Sequence, residues 1–279
     1  MTTTMKLTYL GTSGAQGLPA LFCDCPACRK ARAEGGRSIM SRSQSLVESG
    51  AGKLLIDFPP DTYYHTIRFG LDLREISDCL ITHPHGDHFQ LEEIGIRGGF
   101  SITVPEAVPV FRLYGSDVTG RLLSSLLEHD KHGRYAFTQL EAFTPAKVGG
   151  YTVTPLPANH SKELHSFLYI IEAEGKKLFY ANDTAFFDEE TWAYLEGVRG
   201  LDFVSLDCAF TSLDKHFEHM GIPDCLKTVE RLRSFGAVKD TTRYALTHFA
   251  HFGLSYQGIV EAVAGTPLEV AYDGYEVTF

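Results

Sequence analysis

Residues Thr82-His83-Pro84-His85-Gly86-Asp87-His88 place three imidazoles and one carboxylate within six positions, and this run constrains the chain more than any other segment. Pro84 prevents a regular helix here, and Gly86 permits the tight or positive-φ backbone that brings neighbouring side chains inward. Imidazole and carboxylate donors suit Zn, Mn or Fe. Four donors this close do not easily serve one tetrahedral ion, so the run points to two metals. A lone His in a core is usually structural; four ligand-type residues at this spacing read as a metal site.

The run follows a short apolar strand expected at 76–81, and the same junction recurs. Leu156 leads to His160, Tyr180 to Asp183 and Leu246 to His248. Residues at strand ends from separate parts of a sheet can converge at one edge. Further strands are expected at 6–10, 43–48, 53–57, 108–114, 151–156, 166–173, 177–180, 201–206 and 244–247, with a closing strand pair at 268–279. Helices are expected after Leu91, over 116–128, and from Pro223 to a stop at Gly236. The layout predicts an α/β fold: two strand-rich halves, about 1–150 and 151–279, packed sheet on sheet with helices outside, as a single domain.

No apolar run approaches the roughly 20 residues that cross a bilayer, and the N-terminal segment has no export signal. The expected location is the cytoplasm, with no membrane partner. In that compartment Cys23, Cys25 and Cys28 read as metal ligands before disulfides. Cys79, Cys208 and Cys225 lie in or beside apolar runs and read as small buried hydrophobes. A net charge of −10 argues against a broad nucleic-acid footprint, though bound cations would still admit small anionic substrates.

The His-x-His-x-Asp-His run resembles the signature of the metallo-β-lactamase fold superfamily, which implies a four-layer αβ/βα sandwich. By that resemblance His83, His85 and His160 hold one metal. Asp87, His88 and His248 hold a second, and Asp183 bridges them. A narrower resemblance rests on Gly14-Ala15-Gln16-Gly17 followed by Cys23-Asp24-Cys25-Pro26-Ala27-Cys28. These residues look like the branch containing the cyclic-phosphate phosphodiesterase of bacterial phosphonate catabolism, the carbon–phosphorus lyase pathway. The branch implies a structural zinc on Cys23, Cys25, Cys28 and His251. It also implies that His219 acts as general acid or phosphate contact. The resemblance runs from Gly11 to about His251, with no matching motif over 99–149.

The expected enzyme is a dinuclear metal-dependent hydrolase, a phosphodiesterase acting on a small, cyclic or open, phosphate ester through a metal-bridging hydroxide that Asp87 orients. Its active-site ions are Mn or Zn, with Fe also admitted, beside one structural Zn. Alternatives on the same ligands are a tRNA 3′-end endonuclease and a lactone or thioester hydrolase. One of another class is a metal-binding accessory protein of cofactor biosynthesis. Asp207 points to the same sheet edge as a supporting residue, and His216 is a candidate pocket residue. His65, His129, His132 and His165 receive no role, and oligomeric state, a homodimer included, stays open.

Overall fold

The computed structural model describes residues 4–99, 101–213 and 217–279. Two seven-stranded sheets account for fourteen strands. The first contains β1 (Lys6–Gly11), β2 (Gln44–Ser49), β3 (Gly52–Ile56), β4 (Asp78–Leu80), β5 (Phe111–Gly115) and β6 (Tyr135–Gln139). The second contains β7 (Ala146–Val148), β8 (Tyr151–Pro157), β9 (Phe167–Ala173), β10 (Lys176–Ala181), β11 (Leu201–Asp207), β12 (Val238–Thr247) and β13 (Leu268–Val270). The last strand, β14 (Tyr275–Thr278), returns to the first sheet, giving the orders β14-β1-β2-β3-β4-β5-β6 and β13-β12-β11-β10-β9-β8-β7.

Alternating side chains explain why the sheets stack. Leu54 and Ile56 face a core shared with Leu178 and Tyr180 of the other sheet, whereas Leu55 faces the opposite way. Phe179 and Ala181 likewise leave the shared core for a third apolar layer. Helices close the outer layers. Those over the first sheet are α2 (Thr62–Phe69), α3 (Leu91–Gly95) and α4 (Asp117–Glu128), which contribute Phe69, Ile94 and Leu123. Those over the second are α1 (Pro26–Glu34), α5 (Glu189–Leu195), α6 (Ile222–Ser234) and α7 (Tyr256–Ala262), which contribute Ala31, Trp192, Leu232 and Ile259. The result is the four-layer sandwich of the metallo-β-lactamase fold. Polar bonds cross its centre: Tyr9 donates to Ser205 Oγ at 2.8 Å, and Tyr169 to the Ile81 carbonyl at 2.6 Å.

One expectation needs correction. The strands on either side of Tyr272-Asp273-Gly274 do not pair with each other. β13 pairs parallel with β12 and β14 antiparallel with β1, so the segment crosses between sheets. Asp273 anchors that crossing by accepting from the backbone N–H of Thr12 at 3.0 Å and of Ser41 at 2.7 Å. In the Cys segment α1 begins immediately after Cys25, whose side chain caps it, so Cys28 stands on a helix.

Strand direction positions the site. β3 and β4 run parallel. β10, β11 and β12 are mutually parallel, and β8 shares their direction because β9 is antiparallel to both β8 and β10. Their C-terminal ends therefore share edges at which ligands converge. Among the described residues no helix is long and apolar enough to cross a membrane.

Candidate metal centre

Each of β3, β4, β8, β10, β11 and β12 leads into a polar residue of one cluster: Asp57 after β3, His83 after β4, His160 after β8, Asp183 after β10, Asp207 closing β11 and His248 after β12. Asp57, Asp183 and His248 take left-handed backbone, with φ of 65°, 58° and 59°. That conformation costs an L-residue roughly 1–2 kcal/mol. It turns each side chain off the strand axis and into the cluster.

The side chains form three overlapping groups that could each hold a cation: His83, His85, His160 and Asp183; Asp87, His88, Asp183 and His248; and Asp183, Asp207, His219 and His248. In the first, His83 Nε2 lies 2.8 Å from His85 Nδ1 and 3.2 Å from Asp183 Oδ2, and His160 Nε2 lies 3.3 Å from His85 Nδ1. In the second, His88 Nε2 lies 3.3 Å from both His248 Nε2 and Asp87 Oδ2, and 3.1 Å from Asp183 Oδ2. Donors around a tetrahedral ion with bonds of about 2.1 Å sit about 3.4 Å apart. Asp183 belongs to all three groups and its Oδ1, buried, lacks a hydrogen-bond partner, as expected of an atom shaped to face a cation.

The opposite nitrogen of each ring also has an oxygen beside it, which fixes ring orientation and leaves the inward nitrogen free. His83 Nδ1 meets Thr82 Oγ1 at 3.1 Å, His85 Nε2 meets Ser161 Oγ at 3.4 Å, and His160 Nδ1 meets the Glu218 carbonyl at 3.3 Å. His88 Nδ1 meets Asp57 Oδ2 at 2.7 Å. His248 Nδ1 lies 3.3 Å from Asp207 Oδ2, though off the hydrogen-bond line. Asp57 is held in turn by the backbone N–H of Thr82 at 2.7 Å, and its carbonyl accepts from Gln44 at 3.0 Å. Gly14 packs on the His248 ring: a Cβ there would stand 3.1 Å from the ring carbon Cε1.

The electrostatics call for positive charge. Asp57, Asp87, Asp183 and Asp207 cluster here, and among the described residues their ion pairs involve only histidines. Burial would raise the Asp183 carboxyl, but His248, His83 and His88 hold it well below its ordinary range. Burial would lower the His88 imidazole, yet Asp87, Asp57 and Asp183 lift it well above its own. His83 is pushed down to about 3 by burial and by His88, so it stays neutral and able to ligate. The donor set and geometry therefore fit two divalent cations.

His219 sits beside this cluster, its ring 5.4 Å from both the His160 and the His248 rings. Its Nδ1 lies 3.0 Å from Asp207 Oδ2 and 3.2 Å from Asp183 Oδ1. Asp207 is wholly buried and accepts from the backbone N–H of Ala209, Met220 and Thr184 at 2.9, 3.2 and 3.2 Å. Burial alone would lower the His219 imidazole, but Asp207 outweighs it and carries it up to about 9.

A separate four-residue group joins α1 to the end of β12. His251 Nδ1 lies 3.4, 3.9 and 3.7 Å from the sulfurs of Cys23, Cys25 and Cys28. Three thiolates and an imidazole with no further position form the donor set of a closed tetrahedral zinc site. Burial opposes ionisation of Cys25, yet hydrogen bonds from His251 and the Cys28 amide bring its thiol down to about 6. Cys79, Cys208 and Cys225 are buried free thiols.

The other histidines lie elsewhere. His65 is buried, between Ser41 Oγ at 2.8 Å and Gln44 Oε1 at 2.6 Å. His165 is exposed and pairs with Asp117 at 2.6 Å, while His129 and His132 are exposed around the end of α4. His216 lies outside the described residues. Sequence reasoning missed Asp57 and the Glu218 carbonyl. Asp57 carried a usable signal, since Leu54-Leu55-Ile56-Asp57 repeats the strand-into-acid junction. A backbone carbonyl carries none.

A profile of the beta-lactamase superfamily domain matches residues 54–249. A metal-dependent hydrolase of Thermus thermophilus is 26% identical over 202 residues, covering 70% of this chain and 77% of that one. Coenzyme PQQ synthesis protein B of Methylobacterium radiotolerans is 26% identical over 226 residues, covering 71% and 72%. Among solved structures, a diphosphatase of the PhnP family superposes with a TM-score of 0.78 at 22% identity, over 99% of this chain and 97% of its own.

Proposed function

The chain belongs to the beta-lactamase superfamily and is a metal-dependent hydrolase of the metallo-β-lactamase fold, and from that premise we propose that it is a phosphodiesterase cleaving a small phosphate ester, cyclic esters included. The observation that carries this reading is His219, braced by Asp207 beside the first two candidate cation groups. Two divalent cations supply Lewis acidity toward phosphoryl oxygens and an activated water at neutral pH.

The chain's own residues do the rest. His83, His85 and His160 would hold one cation and Asp87, His88 and His248 the other, with Asp183 available to both. Asp87 also orients the attacking water. His219 Nδ1–H donates to Asp207, which leaves the Nε2 proton to pass to the departing alkoxide. A thiolate leaving group needs no such proton, so the His219–Asp207 pair favours an ester with a basic oxygen leaving group over a thioester. A cation beside Asp183 would oppose the positive charge that Asp207 favours on the His219 imidazole. The PhnP-family likeness supports the phosphate-ester class. The net charge of −10 disfavours a tRNA substrate.

The test is a panel of bis-p-nitrophenyl phosphate, 2′,3′-cyclic nucleotides, a lactone and a thioester, each with Mn²⁺ and Zn²⁺. Turnover of the phosphodiesters is expected. His219→Ala should keep its metal content while losing about 10²- to 10⁴-fold in kcat on the cyclic nucleotides. It should lose much less on the nitrophenyl ester, whose leaving group needs no proton. Efficient lactone or thioester hydrolysis with inert phosphodiesters would overturn the reading.

A further inference from the structure

Beside His219 the polar cluster gives way to aromatic rings. Phe210 is buried, and its ring lies 5.6 Å from His219, nearly perpendicular at 89°. Phe217 and Phe252 lean on Phe210 at 5.3 and 6.2 Å, yet remain 61% and 48% exposed. The rings are tilted 56° and 40° to Phe210, so each keeps a surface open to solvent rather than closing a core.

Phe210 donates its N–H to the Met220 carbonyl at 3.1 Å, and Ile222 donates to the Thr211 carbonyl at 2.7 Å, which joins Phe210 and Thr211 to the residues that follow His219. Phe252 follows His251 and meets its ring at 5.5 Å, which places it on the Cys23–Cys25–Cys28–His251 group. Thr211 Oγ1 accepts from the Leu254 N–H at 3.1 Å and so joins the two segments.

We propose that Phe210, Phe217 and Phe252 form an aromatic seat continuous with the metal centre, one that holds a planar group, a nucleobase or aryl ring, attached to the substrate phosphate. The proposal rests on the phosphodiesterase reading and adds the chemistry of the rest of the substrate. Beyond His219 the described side chains include the rings of Phe210, Phe217 and Phe252. Apolar rings exposed in a group next to a polar cleft mark a binding surface. Rings tilted against one another offer faces and edges that suit another π-system at 4.5–7 Å. A bare sugar or alkyl group would gain less there.

The test measures binding of thymidine 5′-monophosphate and of methyl phosphate to the metal-loaded protein by calorimetry. The two probes share the phosphate and differ in the nucleoside. The wild type should favour the nucleotide by about 5- to 100-fold, the range for one base on an aromatic platform. Phe217→Ala and Phe252→Ala should each reduce that ratio at least about fivefold, and Phe217→Trp should keep it. Equal binding of the two probes by the wild type, or a ratio indifferent to both alanine variants, would overturn the seat. So would a shift of the alanine variants to a smaller species in gel filtration with the ratio unmoved, because a second copy of the chain would then cover these rings. Hydrolysis is followed separately with the p-nitrophenyl esters of thymidine 5′-monophosphate and of methyl phosphate, which share a leaving group. If neither ester turns over while the nucleotide preference holds, the phosphodiesterase reading falls and the seat stands.

Discussion

Asp57→Asn tests whether the oxygens behind the imidazoles set their ligating form. The substitution preserves shape and removes one charge. In the wild type Asp57 Oδ1 accepts from the Thr82 N–H at 2.7 Å, while Oδ2 accepts from His88 Nδ1 at 2.7 Å. If the amide oxygen stays on Thr82, the new NH₂ faces His88 Nδ1, which must then present its lone pair. The ring proton moves to Nε2, the atom directed at Asp87, Asp183 and His248. If the amide flips, two donors oppose each other at Thr82. One charge-assisted bond is lost either way, about 1.5–3 kcal/mol, equivalent to roughly 10- to 150-fold at 1.4 kcal/mol per decade. Loss of such an outer partner typically costs about 10- to 100-fold in metal affinity. The loss should fall on the cation held by Asp87, His88 and His248 and spare the one held by His83, His85 and His160. Zn²⁺ titration against a chromophoric chelator, with bound metal counted after dialysis, resolves the two. Equal weakening of both sites would indicate general loosening, and unchanged affinity at both would refute the tautomer argument.

Two further outcomes follow from the geometry. Cys25→Ser removes the thiol lowered to about 6 and should lower zinc content by one ion per chain and depress the melting temperature; an unchanged zinc count would rule out the site. Burial pushes His65 down to about 4, below its unfolded value of about 6.5, so its contribution to stability is full above pH about 6.5 and is lost as pH falls toward 4. That amounts to up to about 3 kcal/mol. Urea midpoints at pH 7 and 4.5 should therefore differ more for the wild type than for His65→Gln, and parallel pH curves would exclude the linkage.

The ligand side chains were legible because strand and ligand adjoin in the sequence. His83, His160, Asp183 and His248 each follow an apolar strand closely, and the parallel directions of β10, β11 and β12 bring such ends together. Asp57 ends the same kind of strand, but its partner His88 lies 31 residues on, and nothing local announces the contact. The strand pair expected at 268–279 failed for a physical reason. Asp-Gly is a hairpin signal, but here the Gly274 N–H donates to the Tyr9 carbonyl at 2.7 Å and leads the chain into the other sheet. The short helices α5 and α7, seven residues each, span two turns and leave little periodicity to read.

That crossing has a consequence for the order of events as the chain emerges from the ribosome. β1 finds its outer neighbour only when β14 arrives, a contact exemplified by Thr8 and Glu276, 268 residues apart. Until then β1 presents one open edge, a template for mispairing. Asp273, which locks Thr12 and Ser41, arrives equally late. Closing so long a loop is slow relative to local pairing. The β1 edge and the Thr12 and Ser41 amides therefore wait for their partners until residues 273–278 are free to dock.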